Sequence, residues 1–291
     1  MGDKTVLMTG ATGFLGSNLL KSLVLHNYQV SILKRQTSSL HYLTEYTEKI
    51  TAFNLEEISI EDCFQKVKPE IVIHCATDYG RSNTSPSAIV DTNLILPLRL
   101  IEISKKNKVK CFINTDTFLD KKINHYSLSK KQFTDWFKTF SSDLICANIT
   151  LEHFYGPKDH KSKFVSFIID KFLTLSTEIN LTLGEQKRDF IFIDDVVNAY
   201  LLVLDSISNK SNGFYNFEIG TNTQITIKDL VETIRNLTEN KTTKVNYGAI
   251  PYRENELMES KVNTELIRAL GWFPKVELID GLLRTINAEK K

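Results

Sequence analysis

The chain is expected to fold as an α/β protein: a doubly wound parallel sheet with a smaller C-terminal α+β part. Three observations lead there. A short apolar run, Thr5 to Thr9, breaks into the glycine-rich stretch Gly10-Ala11-Thr12-Gly13-Phe14-Leu15-Gly16. Short strand-like runs then alternate with segments of helical periodicity as far as Asn114, the pattern of βαβ units whose sheet is covered on both faces. The 291 residues, 42% of them hydrophobic, suffice for one large domain or two small ones around a sizeable core.

The first strand, residues 5–9, leads into a turn that needs its glycines. Gly10 permits the tight exit from the strand, Gly13 lets the backbone approach a pyrophosphate, and Gly16 lets the next helix pack on the strand. Phosphates would sit on the free N–H groups at the positive end of that helix. A tight turn with no ligand is the alternative. The helix carries Leu19, Leu20, Leu23 and Val24 on one face. Residues 29–33, 50–53 and 71–74 read as the second, third and fourth strands. A helix through Asn93, Leu96, Leu100 and Ile103 follows, and residues 109–114 form the fifth strand.

The 36 basic residues nearly cancel the 35 acidic ones, and no long basic run occurs, which argues against nucleic acid as a partner. With a strand beginning near residue 5 there is no room for a signal peptide, and no apolar stretch spans a bilayer, so a soluble cytoplasmic protein is the simplest expectation. The four cysteines, Cys63, Cys75, Cys111 and Cys146, lack C-x-x-C spacing. They read as thiols, mostly buried, rather than disulfides or metal ligands, and no structural metal is expected.

Tyr126 and Lys130 lie one helical turn apart, on the face continued by Phe133, Phe137 and Phe140. An ammonium near a phenol is expected to lower the phenol's pKa from its usual value of about 10, fitting it for proton transfer. Taken alone, Tyr-x-x-x-Lys is more often structural. Here it follows Asn114-Thr115-Asp116-Thr117, at the strand end where reactive groups gather in open α/β sheets.

Taken together, the glycine-rich turn, the hydroxyls at the strand end and the Tyr126/Lys130 pair resemble the short-chain dehydrogenase/reductase superfamily. The closer resemblance is to its extended branch of nucleotide-sugar epimerases, dehydratases and reductases. It covers nearly the whole chain. His74-Cys75-Ala76-Thr77, Phe154-Tyr155-Gly156-Pro157, Arg188-Asp189-Phe190-Ile191-Phe192-Ile193-Asp194-Asp195, Asn216-Phe217-Glu218-Ile219-Gly220 and Leu270-Gly271-Trp272-Phe273-Pro274 match that branch's landmarks in order. The resemblance implies a Rossmann nucleotide-binding domain over residues 1–153 and about 190–217. A substrate domain over 154–189 and 218–291 would close the site.

Site roles come with it. Tyr126 is the expected proton donor, and Lys130 the residue that lowers its pKa and bonds the nicotinamide ribose. Thr115 is expected to bond the reacting oxygen, with Thr117 as second candidate, and Asn93 supports the site. Cofactor contacts are implied for Gly10, Thr12, Gly13, Phe14, Leu15, Gly16, Asn54, Leu55, Cys75, Ala76, Thr77, Asn93, Tyr126, Lys130 and His153. Tyr79, Arg81, Thr115, Thr117, Tyr126 and His153 are implied around the sugar. Arg188 would clamp the substrate's diphosphate and Arg253 would be a second phosphate contact, each with a surface ion pair as the alternative. His153 stands where the branch usually has asparagine; it either contacts substrate or bonds a backbone carbonyl.

Two features bear on the reaction. Lys34 and Arg35, with Ser38 and Ser39 beyond them, replace the acidic residue that holds the ribose 2′-hydroxyl of NAD. They favour NADPH, with NAD possible and a solvated basic loop the alternative. Thr117 stands where the dehydratases carry the glutamate that moves a proton at C5. The closest resemblance is therefore to reductases of nucleotide-diphosphate 4-keto-6-deoxyhexoses in bacterial deoxysugar (O-antigen or capsule-type) biosynthesis. A nucleotide-sugar epimerase with recycled NAD is the alternative, and a non-catalytic NADPH sensor a second one. A homodimer built on the Asn93 and Tyr126 helices is expected.

Overall fold

The structure, a computed structural model, describes residues 4–81 and 84–290. Its strands are β1 Thr5–Thr9, β2 Gln29–Lys34, β3 Ile50–Asn54, β4 Ile71–His74, β5 Cys111–Thr117, β6 Ile145–Leu151, β7 His153–Tyr155, β8 Glu178–Leu181, β9 Lys187–Phe192, β10 Gly213–Ile219, β11 Gln224–Thr226 and β12 Lys244–Tyr247. Its helices are α1 Phe14–Leu25, α2 Ile60–Val67, α3 Pro86–Val90, α4 Leu96–Lys106, α5 His125–Lys138, α6 Phe164–Leu173, α7 Ile193–Ser206, α8 Ile227–Leu237, α9 Glu265–Arg268 and α10 Leu278–Glu289. Seven parallel strands in the order β10-β6-β5-β4-β1-β2-β3 form the main sheet. The order reverses between β1 and β4, so a crevice opens at their carboxyl ends.

Alternation along the strands supplies both faces of the core. Val6 and Met8 of β1 pack with Leu19, Leu20 and Leu23 of α1 and with Val196 and Val203 of α7. Leu7 points the other way, into a second cluster with Phe64 of α2, Leu100 of α4, and Phe133 and Phe137 of α5. Each such fully buried side chain contributes about 1.5–3 kcal/mol by leaving water. A three-stranded sheet, β11-β9-β7, and the pair β12-β8 form the remaining sheet structure. Trp272 is fully buried, and its indole donates to the Asp195 carbonyl at 3.0 Å. The Asp195 carboxylate caps the Lys275 and Val276 amides at 2.9 and 3.0 Å, fastening the C-terminal segment to the start of α7.

Two elements differ from expectation near the site. β5 runs three residues further than its apolar pattern, because Thr115 and Thr117 continue the ladder with Ile149 and Leu151 of β6. The Asn93 helix is interrupted by a π turn over Asp91–Ile95. Pro97, which follows, has no N–H to give the Asn93 carbonyl, and the wide turn absorbs that missing bond.

Candidate active site

The glycine-rich turn sits at the β1/β4 crevice, and two of its glycines are sterically obligatory. Gly10 has φ +70°, and a Cβ there would lie 2.4 Å from the Ala76 amide nitrogen. A Cβ on Gly16 would lie 2.1 Å from the Gly10 carbonyl oxygen. Gly13 is different. Its backbone is ordinary extended (φ −85°), it is exposed, and a Cβ would have only the Gly10 oxygen near it, at 3.4 Å. No protein neighbour requires a glycine here; a ligand lying on the backbone would. Gly13 precedes α1, whose amino end has no side-chain cap and no acid in its first turn, so its N–H groups suit a phosphate. Thr12 is half-buried beside it, Leu15 is buried, and Phe14 stacks on Phe154 at 6.2 Å.

Past β2, Lys34 is half-buried and Arg35 exposed, and neither forms an ion pair among the described residues. Ser38 folds back over them, its amide donating to the Arg35 carbonyl at 3.0 Å. Asn54 spends its side chain locally, donating to Glu57 at 2.7 Å and accepting from the Glu56 amide at 3.3 Å. The Leu55 amide bonds the Lys34 carbonyl at 3.0 Å.

An N-terminal capping box fixes the start of α5: Asn124 accepts from the Ser127 amide at 2.8 Å, and Ser127 Oγ accepts from the Asn124 amide at 3.3 Å. This places Tyr126 in the first turn and Lys130 one turn later, facing the crevice. Lys130 is 1% exposed, and its ammonium finds no hydrogen-bond partner among the described residues. Burial lowers its pKa to about 8, against the favourable charge of Asp116. An unpartnered buried ammonium is costly, and hydroxyls of a bound ribose would satisfy it. The site therefore fits a nicotinamide dinucleotide: an orphaned lysine at one end, an open glycine cradle and uncapped helix at the other.

For Tyr126 the expected direction is overturned. Burial pushes its phenol well above the usual value, and the Tyr79 and Asp116 groups add to the rise. The opposing contributions come from the Thr117 hydroxyl and the Arg81 charge, not from Lys130. The phenol is held protonated. The ranking of the two threonines also changes. Thr115 is committed elsewhere, 2.7 Å from the Tyr200 hydroxyl and 3.2 Å from Cys75 Sγ. Thr117 is the hydroxyl that acts on the Tyr126 phenol, lowering its pKa against the effect of burial. Cys75 is half-buried with its thiol pushed up to about 11 by burial. Ala76 donates to Thr9 Oγ1 at 3.4 Å, and Thr77 is half-buried beyond it.

Asn93 is fully buried and acts as a three-way tie. It accepts from the Asp78 amide and donates to the Asp78 carbonyl, both at 2.8 Å, and donates to Ser129 of α5 at 3.1 Å. This brings the segment after β4 to Tyr126, so the Tyr79 ring lies 5.0 Å from the Tyr126 ring. Lys163 and Arg81 flank Tyr79, at 3.9 and 5.0 Å from its centroid, and Arg81 also bonds Ser162. Sequence reading did not single out Lys163 or Ser162, since no local pattern connects them to residue 79.

A second group of residues lies on β7, β9 and the loop after β12. Arg188 is 8% exposed, bonded to Glu256 and, at 2.7 Å, to the Lys187 carbonyl. Arg188 is thus in an ion pair, as in the alternative reading, with its guanidinium buried and Glu256 half-buried. Arg253 lies near enough for its charge to oppose that of Arg188, and it is exposed and without an ion pair among the described residues. Two neighbouring guanidiniums, one unpaired, suit an anion. Among the described residues His153 bonds neither a backbone carbonyl nor a distant group; its Nδ1 pairs with the buried Glu152 carboxylate at 2.9 Å, which also accepts from Ser260 at 2.7 Å.

Sheet, glycine turn and Tyr126/Lys130 helix together define a dinucleotide-dependent enzyme. The chain matches the model of the NAD dependent epimerase/dehydratase family over residues 6–220 and belongs to that family. It is an NAD(P)-dependent enzyme of the extended short-chain dehydrogenase/reductase type. Among its relatives is a CDP-abequose synthase of Salmonella muenchen, 35% identical, with 99% of each chain covered. Another, from Salmonella typhimurium, is 32% identical over 95% of each. In fold the chain is similar to a UDP-glucose 4-epimerase of Thermotoga maritima, solved with UDP-glucose, with TM-score 0.85 and 24% identity over 98% of each chain. No described helix is long and apolar enough to cross a membrane.

Proposed function

We propose that the enzyme reduces the C4 ketone of a nucleotide-diphosphate 4-keto-6-deoxyhexose with NADPH, a step in deoxysugar synthesis. The observation that carries this reading is Thr117 at the end of β5, near Tyr126: a hydroxyl stands at the position where dehydration needs a carboxylate base. Full-length similarity to CDP-abequose synthases supports the same substrate class.

The cofactor would lie on Gly10, Thr12, Gly13, Phe14, Leu15 and Gly16, with Asn54 and Leu55 toward its adenine and Cys75, Ala76 and Thr77 along its nicotinamide half. When bound it supplies the hydride that goes to C4. The pair of electrons displaced onto the ketone oxygen takes the proton of Tyr126, and solvent restores the phenol. Thr117 bonds the same oxygen, and Thr115, held by Tyr200, shapes the wall beneath it. Lys130 bonds the ribose and adds positive charge near the developing alkoxide. Asn93 holds α5 and the Tyr79 segment in register. Tyr79, Arg81 and His153 flank the sugar, while Arg188 and Arg253 take its diphosphate. The nucleotide-binding part comprises residues 1–153 and about 190–217, and the sugar-binding part the rest.

Lys34, Arg35 and Ser38 would take the 2′-phosphate. Replacing Arg35 with aspartate is expected to erase or reverse a preference for NADPH over NADH, measured by titrating each cofactor into the protein. Equal or tighter NADH binding by the unaltered protein would remove this support. A homodimer pairing α4 with α5 would cover Trp136 and Leu128, which are 54% and 37% exposed; light scattering at micromolar concentration should give twice the chain mass.

The deciding experiment incubates the enzyme with NADPH and a panel of nucleotide-linked 4-keto-6-deoxyhexoses, with products identified by NMR. Stoichiometric NADP⁺ and a new C4 hydroxyl support the reading. Interconversion of two saturated nucleotide sugars with no NADPH consumed would make the enzyme an epimerase, the activity named for a Mycolicibacterium smegmatis relative.

A further inference from the structure

A buried polar network runs beneath the helix that carries Tyr126 and Lys130. Asn114, Asn148 and Asn216 stand in register on β5, β6 and β10. Asn114 donates to Asn148 at 2.7 Å, and Asn148 donates to Asn216 at 2.8 Å. At its inner end is one carboxylate, Asp116, 3% exposed and on the face of β5 opposite Thr115 and Thr117. Its Oδ1 accepts from the Thr117 amide at 2.7 Å. Its Oδ2 accepts from Lys131 at 3.1 Å, Thr134 at 3.0 Å and Asn148 at 3.2 Å. Lys131 in turn donates to the Thr117 carbonyl at 2.5 Å.

We propose that Asp116 is a positioning residue: fastened by Asn148 and Thr134, it clamps Lys131 across the end of β5 and sets both the seat of Thr117 and the charge beneath Lys130. The inference rests on the roles proposed for Thr117, Tyr126 and Lys130. A buried carboxylate with this many donors is rigid, and its partners Lys131 and Thr134 lie on α5 one and four residues after Lys130, the Thr134 hydroxyl also reaching the Lys130 carbonyl at 3.1 Å. A neutral residue of the same shape would keep the packing and lose the charge. The charged and titratable groups facing Lys130 are Asp116 from β5, Cys75 and His74 from the β4 end, and Lys131 from α5 itself. Asp116 favours the Lys130 ammonium; Lys131 and burial oppose it.

The test reads the Lys130 amine by NMR in protein labelled at the lysine ε-carbon, its signal assigned with Lys130→Arg. Neither substrate nor cofactor is present, so the result stands whichever reaction the enzyme performs. In the unaltered protein the midpoint is expected at about 8. Asp116→Asn should lower it by about one pH unit or more, as loss of an opposite charge does. Lys131→Met, which removes a like charge, should raise it. A merely structural role would change stability and leave both midpoints in place, which would overturn the proposal. Should Asp116→Asn not fold, Lys131→Met decides: a midpoint that stays or falls overturns it.

Discussion

Replacing Tyr126 with phenylalanine is expected to cut turnover by a factor of about 10² to 10⁴, the usual worth of a positioned acid, and to leave cofactor affinity nearly unchanged. The phenol sits in the first turn of α5 against Tyr79, with its proton held by burial. The substitution removes one oxygen and no packing volume, so the capping box, Asn93 tie and glycine cradle stay as they are. Stopped-flow hydride transfer and cofactor titration separate the two effects. Near-normal turnover would show that another group supplies the proton, and the Thr117 hydroxyl would be the next to remove. Lower cofactor affinity would mean instead that the phenol contributes to binding.

The second large effect separates two glycines of one motif. Gly16→Ala is expected to destabilise the fold, by on the order of 1–3 kcal/mol for an overpacked site. The new methyl would meet the Gly10 carbonyl at 2.1 Å, which is backbone and cannot step aside. Gly13→Ala should fold with almost the stability of the unaltered protein, because its φ of −85° suits alanine and its one protein neighbour is at 3.4 Å. Its cost falls on the ligand. Pushing a phosphate off one charge-assisted hydrogen bond loses about 1.5–3 kcal/mol, roughly ten- to hundredfold in affinity. Thermal unfolding and cofactor titration on both variants check this. A Gly13→Ala protein that binds cofactor normally would mean that the pyrophosphate lies elsewhere.

That contrast marks the boundary between sequence and structure. The strand, turn and helix at residues 5–25 were legible because short-range sterics dictate them: the spacing of Leu19, Leu20 and Leu23, the positive φ at Gly10 and the contact of Gly16 with the Gly10 carbonyl are local facts, while the approach of Gly10 to the Ala76 amide is not. The parallel sheet followed from apolar runs too short for helices, and the Tyr126/Lys130 pair from a four-residue spacing that any helix aligns. What the sequence could not carry are the contacts made across it. Whether Thr115 or Thr117 meets Tyr126 depends on Tyr200, 85 positions on from Thr115, which takes the first hydroxyl. The phenol's pKa rises rather than falls because burial and the groups brought in from residues 79 and 116 outweigh the Thr117 hydroxyl and the Arg81 charge. Arg188 is paired because the loop at Glu256 folds over it. Local spacing follows from covalent geometry and is written in the chain itself. Solvation and pairing depend on which distant segments the fold packs together, and only the tertiary structure decides them.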